Sequence, residues 1–203
     1  MKVFVCGCGA IGSNLIDTLV RQGIKADISV VDFDRVEEKN IATQVWNYDE
    51  IGQLKVLAMQ NRCYLVNKTQ IETFDKKLDD RTIKKFLKGV KNTDLVVDCF
   101  DNSESRRLLK EHCDSNDIRC LHGGLFEGYG EIIWNDSYIV PANAKGDVCD
   151  NPIARNLILL LVSVMAEQIR KYIAGEIDEY FGNYTITLKD LQIRKERNCV
   201  KAT

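Results

Sequence analysis

The stretch Gly7-Cys8-Gly9-Ala10-Ile11-Gly12 restricts this chain more than any other, because of what flanks it. Lys2 to Cys6 is short and valine-rich, the pattern of a strand. Ile11 to Val20 repeats apolar residues at helical spacing, and Asp27 to Val31 returns to strand character. Glycines at this spacing between strand and helix let the chain turn tightly, bring a phosphate against the backbone, and pack helix on strand. The first turn of the helix offers N–H groups and a partial positive charge to an anion. Asp32 follows Gly12 by 20 residues, at the end of the second strand, where a carboxylate can accept hydrogen bonds from a ribose. These features read as a βαβ unit that binds an adenine nucleotide, with NAD and ATP both open. A tight turn without a ligand is the plain alternative.

The alternation continues. Gly52 to Val66 reads as a helix, Thr69 to Phe74 as extended, and Asp80 to Leu87 as a helix capped by Asp80. Leu95 to Val97 is a short buried strand, and Asn102 to Cys113 a helix. This order predicts an α/β chain with a Rossmann-like, doubly wound, mostly parallel sheet. After Ile118 the character changes. Glu131 to Trp134 reads as extended, Tyr138 to Asp150 as a loop, Ile153 to Ala174 as a long buried helix, and Tyr184 to Arg194 as a half-exposed strand, giving a C-terminal antiparallel extension. The expectation is one domain over 1–203, with a nucleotide-binding half over 1–118 and a capping half over 119–203.

Composition closes off other classes. With 45% hydrophobic and 29% charged residues in 203, the chain is globular, not disordered. Its 28 Lys and Arg against 30 Asp and Glu leave a net charge of -2 and no overall basic field for nucleic acid or an anionic membrane. Two prolines and two histidines exclude Pro-rich linkers and His-rich metal sites. The apolar run Leu157 to Met165 is about half of the roughly 20 residues needed to span a bilayer, which places it in a core or a subunit interface. None of the eight cysteines forms a Cys-x-x-Cys pair, and the sequence opens on a strand without a basic leader. Cytoplasmic residence with free thiols is expected.

More motifs follow the glycine loop. Asp32-Phe33-Asp34-Arg35-Val36 runs into Asn40-Ile41-Ala42-Thr43-Gln44, then Gly52-Gln53-Leu54-Lys55, and later Val97-Asp98-Cys99-Phe100-Asp101-Asn102 with Arg106 one helical turn on. In this order they resemble the ThiF/MoeB/HesA family of adenylyltransferases, related to ubiquitin-activating enzymes, over roughly residues 2 to 175. The resemblance implies ATP-dependent activation of a carboxylate: the Gly-Gly tail of a ubiquitin-like or sulfur-carrier protein attacks the α-phosphate, giving an acyl adenylate and pyrophosphate. It implies nucleotide contacts at Gly7, Gly9, Gly12, Asp32 (ribose), Asp34, Asn40, Gln44, Lys55 (phosphates), Asn102 and Arg106, with Mg²⁺ at Asp101. It also implies a homodimer, with the long apolar helix as a source of interface area, and an acceptor-binding role for the second half. Lys55 and Asp101 are the implied catalytic residues. Cys149 joins them as a third candidate, in a loop where thioester-forming or persulfide-forming relatives keep a reactive cysteine. A helix N-terminus there would favour a thiolate, while Asp147 and Asp150 would oppose it.

Each candidate has a bland reading. Asp101 could simply cap the helix beginning at Asn102; Lys55 could be a solvated lysine on an amphipathic helix; Asn40 and Gln44 could be turn and surface residues; Arg106 could meet only water. The chain also departs from the family pattern. Thr43 stands where relatives usually carry an arginine, with Lys39 as a nearby cation, and no arginine-bearing segment precedes the first strand in this sequence. The paired Cys-x-x-Cys motifs of zinc-holding members are absent, so zinc is not expected. Besides adenylation of a protein tail, three functions stay open: activation of a peptide or small-molecule carboxylate, a nucleotide-binding scaffold without turnover, and an NAD-dependent oxidoreductase.

Overall fold

The structure, a computed structural model, describes residues 1–142 and 155–196. β1 (Lys2–Cys6), α1 (Ala10–Arg21) and β2 (Asp27–Val31) form the expected βαβ unit. They are followed by α2 (Lys55–Asn67), β3 (Glu72–Phe74), α3 (Thr82–Phe86), β4 (Leu95–Asp98), α4 (Ser103–Ser115), β5 (Arg119–Phe126) and β6 (Tyr129–Trp134). α5 (Arg155–Ala174), β7 (Tyr184–Thr187) and β8 (Gln192–Lys195) complete the described chain. One sheet holds the strands in the order β3-β2-β1-β4-β5-β6-β7-β8. The first five run parallel, and β6, β7 and β8 continue it antiparallel.

The central strands β1, β2, β4 and β5 are buried on both faces, and residue alternation shows why. Val3, Val5, Ile28, Val30, Leu95, Val97 and Leu121 pack into the core shared with α1, α2 and α5. Their neighbours Phe4, Cys6, Val31, Val96 and Cys120 pack into a second core with α3 and α4. Leu157, Ile158, Leu161, Val162 and Met165 of α5 are fully buried against this chain's own elements, each side chain contributing about 1.5–3 kcal/mol. The apolar run of α5 is therefore core; exposed Leu159 and half-buried Leu160 and Val164 are what it leaves on the surface.

Four boundaries differ from the sequence reading. α2 starts at Lys55, not Gly52, because Gly52 to Leu54 lie against Asp34 to Val36: Val36 N–H donates to Gln53 and Gly52 N–H to Val36. β3 is shorter than 69–74, since pairing with β2 covers only Glu72 to Phe74. The residue holding the start of α3 is Asp79, not Asp80; its Oδ1 accepts from the N–H groups of Arg81 at 2.9 Å and Thr82 at 2.7 Å. The segment 184–194 is a hairpin, not one strand, because the chain turns through Leu188 to Leu191, with Leu191 at φ +52°.

The close approach of α1 to the sheet rests on two glycines. Gly7 has φ +97°, and a Cβ on Gly12 would lie 1.9 Å from the Gly7 carbonyl oxygen. A Cβ on Gly9 would meet nothing within 4 Å. Gly12→Ala is therefore expected to cost about 3 kcal/mol and lower the thermal midpoint by roughly 6–12 °C. Gly9→Ala should move the midpoint by less than about 2 °C. Calorimetry of the two variants tests this, and an unshifted Gly12→Ala would show that the approach is not needed.

Candidate active site

The crevice forms where the parallel sheet reverses its winding. At the carboxyl ends of β1 and β4 the chain departs in opposite directions, into α1 on one face and α4 on the other, the place where α/β sheets bind ligands. Gly7 N–H donates to Val31 O at 2.9 Å and Cys99 N–H to Cys6 O at 2.9 Å, so both loops are fixed to the strands beneath them. Above them opens a cavity of about 620 Å³. Gly9 is the N-cap of α1 and offers no side-chain cap, and the first turn holds no acidic residue. Its first intrahelical bond is from Ser13 N–H to Gly9 O, which leaves the N–H groups of the opening turn to an anion in the cavity.

Asp32 is buried at the end of β2. Its Oδ2 accepts from Cys8 N–H at 2.6 Å and its Oδ1 from Asp34 N–H at 2.8 Å. Burial pushes its carboxyl above the ordinary carboxylate range, with the Lys55 ammonium and these N–H bonds opposing the rise. Lys55 opens α2, its side chain 7% exposed, and Nζ donates to Asp34 Oδ2 at 3.0 Å. Burial works against its charge, yet Asp32 and Asp34 outweigh that and hold the ammonium above its ordinary value. Lys55 is thus not a solvated lysine; it is a cation fixed between two carboxylates and bordering the cavity.

Asn40 and Gln44 are buried, not surface residues, and both border the cavity. Asn40 Oδ1 accepts from Glu37 N–H at 2.9 Å, closing a short 3-10 turn over Glu38–Asn40. Gln44 Oε1 accepts from the indole N–H of buried Trp46 at 2.6 Å, which orients Gln44. Thr43 and Lys39 border the cavity beside them.

The other wall comes from β4 and α4. Asn102 is the N-cap of α4, with Oδ1 accepting from Ser105 N–H at 2.9 Å, so Asp101 is not the cap. The Asp101 carboxylate is exposed on the cavity wall; the Asn102 amide donates to it at 3.4 Å. Arg106 turns inward, donating to Phe100 O at 2.6 Å, the Tyr138 hydroxyl at 3.4 Å and Gly123 O at 3.5 Å. It staples the loop after β4 to β5. Below lies a buried pair, His122 Nδ1 to Asp98 Oδ2 at 2.9 Å, with the imidazole stacked on Tyr138 at 3.6 Å between ring centroids.

Cys149 lies outside the described residues. Cys99 borders the cavity and Cys8 sits between Gly7 and Gly9, but burial raises both thiols well up, so they are packing residues and not nucleophiles. Sequence reasoning missed the wall formed by the β5–β6 hairpin, where Phe126, Tyr129 and Glu131 border the cavity, and Lys76 and Lys77 beyond β3. The hairpin had a usable signal: Gly124, Phe126, Tyr129 and Glu131 fall on one face by strand alternation once Gly124 is paired with Glu131. Nothing in the spacing of the two lysines marks them.

The ThiF family pattern matches residues 1–202. The chain belongs to the ThiF family. A probable molybdopterin-synthase adenylyltransferase of Gracilaria tenuistipitata var. liui is 26% identical, covering 73% of this chain and 44% of the relative. Ubiquitin-like modifier-activating enzyme 5 of Drosophila ananassae is 24% identical, covering 98% of this chain and 59% of the relative. The chain thus spans about half the length of the curated relatives it matches. Escherichia coli MccB in complex with MccA-N7isoASN shares the fold with a TM-score of 0.78 at 18% identity, covering 97% of this chain and 64% of that one. PaaA shares it with a TM-score of 0.76 at 19% identity, covering 97% and 63%.

Two measurements test this ThiF-family site. Removing the ammonium in Lys55→Met raises the Asp32 carboxyl further. A native pKa above the unfolded value means that the folded state holds a proton the unfolded state has released, so stability falls as pH rises through that interval. Urea titrations should show Lys55→Met losing stability relative to the parent as pH rises above the unfolded carboxyl value of about 4, and parallel profiles would refute the coupling. Asn102→Ala should cost about 1 kcal/mol through the lost cap. Asp101→Ala should change stability by less than about 0.5 kcal/mol, and a larger loss would mean that its carboxylate is structural.

Proposed function

We propose that this chain is an ATP-dependent adenylyltransferase that activates the C-terminal carboxylate of a ubiquitin-like or sulfur-carrier protein. One observation carries the reading: the Asp101 carboxylate, relieved of capping by Asn102, borders the same cavity as the Lys55 ammonium and the open first turn of α1. Hydride transfer to a nicotinamide needs neither a phosphate-facing lysine nor a free carboxylate at the end of β4. A triphosphate undergoing substitution uses both, because phosphoryl chemistry is catalysed by positioning and by neutralising charge on equatorial and leaving oxygens.

The relatives support the acceptor class. They include a molybdopterin-synthase adenylyltransferase of Haemophilus influenzae and a SAMP-activating enzyme E1 of Haloferax volcanii, 27% and 29% identical over 64% of this chain. E. coli MccB, a fold neighbour, has been solved with ATP. In the proposed reaction an acceptor carboxylate oxygen bonds to the α-phosphorus, and the bond to the bridging oxygen of pyrophosphate breaks, that oxygen leaving with the electron pair. Asp32 orients the ribose, the α1 N–H groups and Lys55 hold the phosphates, and Gln44 and Asn40 shape the wall beside them. The exposed Asp101 carboxylate suits Mg²⁺, a hard cation that binds through one or two carboxylates together with substrate phosphates. When bound there it would neutralise charge on the departing pyrophosphate.

A second step, acyl transfer to the Cys149 thiolate with release of AMP, is read from the sequence alone. In the same reading the first half of the chain holds the nucleotide, the second the acceptor, and the protein pairs with a second copy. Thr43 favours one rival, a scaffold that binds nucleotide without turnover, since a triphosphate contact of the family pattern is missing.

Isotope exchange between ATP and pyrophosphate with Mg²⁺, run with and without ubiquitin-like proteins ending in Gly-Gly, separates these readings. Exchange that requires an acceptor is the expected result, falling at least about 100-fold in Asp101→Ala. ATP binding without exchange under any acceptor would make the chain a scaffold, and full exchange in Asp101→Ala would remove that residue from the mechanism.

A further inference from the structure

The proposed reaction gives no part to Asp98, the buried acid at the end of β4, although Asp101 is carried on the loop that Asp98 opens. Asp98 and His122 are register partners on neighbouring strands, and they are 1% and 2% exposed. The Asp98 carboxylate divides its oxygens: Oδ1 accepts from Phe100 N–H at 3.0 Å and Oδ2 from His122 Nδ1–H at 2.9 Å. His122 Nε2 is buried and has no hydrogen-bond partner among the described residues, so all of the imidazole's hydrogen bonding there goes to Asp98. Replacing both members of such a pair by apolar groups is often neutral or stabilising, and it would leave no buried nitrogen unpaired. Stability gives no reason for the pair. Geometry does.

Asp101 needs its backbone held because its side chain is not. The carboxylate is exposed and takes one long bond, from the Asn102 amide at 3.4 Å. Phe100, the residue before it, is held on both sides, its N–H by Asp98 and its carbonyl by Arg106 Nε at 2.6 Å. These two holds meet again at Tyr138, whose hydroxyl accepts from Arg106 Nη1 at 3.4 Å and whose ring stacks on His122 with 18° between the planes. Asp98, Phe100, Arg106, Tyr138 and His122 thus close a circuit that ties together β4, its loop, α4, the loop after β6 and β5. Within it His122 has a definite task. The terminal torsion of an aspartate is broad, so a carboxylate with one bond can still turn, and a donor on each oxygen stops it.

We propose that Asp98 and His122 are positioning residues for Asp101: the imidazole fixes the Asp98 carboxylate, the carboxylate fixes the Phe100 peptide, and that peptide sets where the Asp101 carboxylate stands in the cavity. Neither residue borders the cavity, so both act through Asp101 and touch neither nucleotide nor acceptor. The inference rests on the adenylation reading for what Asp101 does, and not for how Asp101 is placed.

The test uses the full chain and two substitutions of opposite character. His122→Phe keeps an aromatic ring against Tyr138 and removes the donor to Asp98, whereas His122→Asn removes the ring and keeps a donor near the place of Nδ1. Residue-resolved amide hydrogen exchange reads the placement without any substrate. The Phe100 amide should exchange about tenfold faster in His122→Phe and within about twofold of the parent in His122→Asn, the size expected for one hydrogen bond to a charged group. Exchange between ATP and pyrophosphate reads the consequence. His122→Phe should lose at least about tenfold in kcat with KM for ATP within about twofold, and His122→Asn should recover most of that loss. A role in packing alone gives the opposite order, since phenylalanine fills the space and asparagine leaves a void. That opposite order, unchanged Phe100 protection in His122→Phe, or a raised KM with kcat intact would overturn the proposal. Protection of the β1 amides checks the fold, and if His122→Phe loses it, His122→Leu takes its place. A parent without pyrophosphate exchange removes the adenylation reading, and the Phe100 amide then decides the placement by itself.

Discussion

One buried carboxylate, that of Asp32, joins three pieces of chain that have to meet before there is a site. Through Cys8 N–H it holds the glycine loop, through Asp34 N–H it sets the turn leaving β2, and through its field it keeps Lys55 charged. The arrangement works only because Gly12 lets α1 settle on the Gly7 carbonyl; a larger residue would lift the loop and pull Cys8 away from Asp32. A buried ion of this kind adds little net stability, since desolvation offsets most of its Coulomb attraction. What it does is fix geometry. With both oxygens already accepting N–H bonds, the carboxylate keeps lone pairs free for hydroxyl donors while being unable to rotate.

Much of this was legible in the sequence, for a reason that differs from residue to residue. Gly7, Gly12 and Asp32 could be read because each meets a local requirement, a positive φ, a close contact and a strand end, which a short motif carries by itself. Asp101 and Asn102 were harder, as both acids and amides cap helices; adjacent positions compete for the role, and only the backbone bond to Ser105 shows that Asn102 took it. Lys55 looked like the edge of a longer helix because propensity does not see that residues 52–54 pair with 34–36. The β5–β6 wall was hidden for a third reason. Its members come together through antiparallel pairing across a hairpin, and whether such a face points at solvent, helix or ligand depends on where α4 starts. Arg106 reads from the sequence as equally open to solvent and to the site, yet it is committed to three acceptors drawn from one strand and two loops.

The two ends of the cavity also differ in how they are held. The Asp32 end is set by backbone: glycine turns, the α1 terminus, and loops bonded to β1 and β2. The hairpin end is set by side chains, with Arg106 bridging α4 to β5 and Tyr138 stacked on a buried imidazole that is itself paired with Asp98. Backbone geometry changes little under substitution, whereas side-chain walls change with every residue exchanged. A fold divided in this way can keep one chemistry at one end and vary its acceptor at the other, which is how function is grafted on a common scaffold.

Charge sets the last constraint on the proposed reaction. Among the described residues bordering the cavity, five are carboxylates (Asp32, Asp34, Glu37, Asp101 and Glu131) and five are cations (Lys39, Lys55, Lys76, Lys77 and Arg106). The cavity thus offers no net positive field to a triphosphate, and three of its cations are already committed, Lys39 to Glu37, Lys55 to Asp34 and Arg106 to carbonyls and a hydroxyl. With Thr43 in place of a further arginine, attraction for the polyanion has to come from directed groups at short range: the N–H groups of α1, the Lys55 ammonium where it reaches past Asp34, and a divalent cation at Asp101. Short-range directed donors in a partly dry site discriminate by position and resist salt, while a diffuse basic surface does neither. In the proposed reaction such a cavity would tie phosphate binding to the metal carried with the nucleotide, since ATP without Mg²⁺ would meet as many carboxylates as cations.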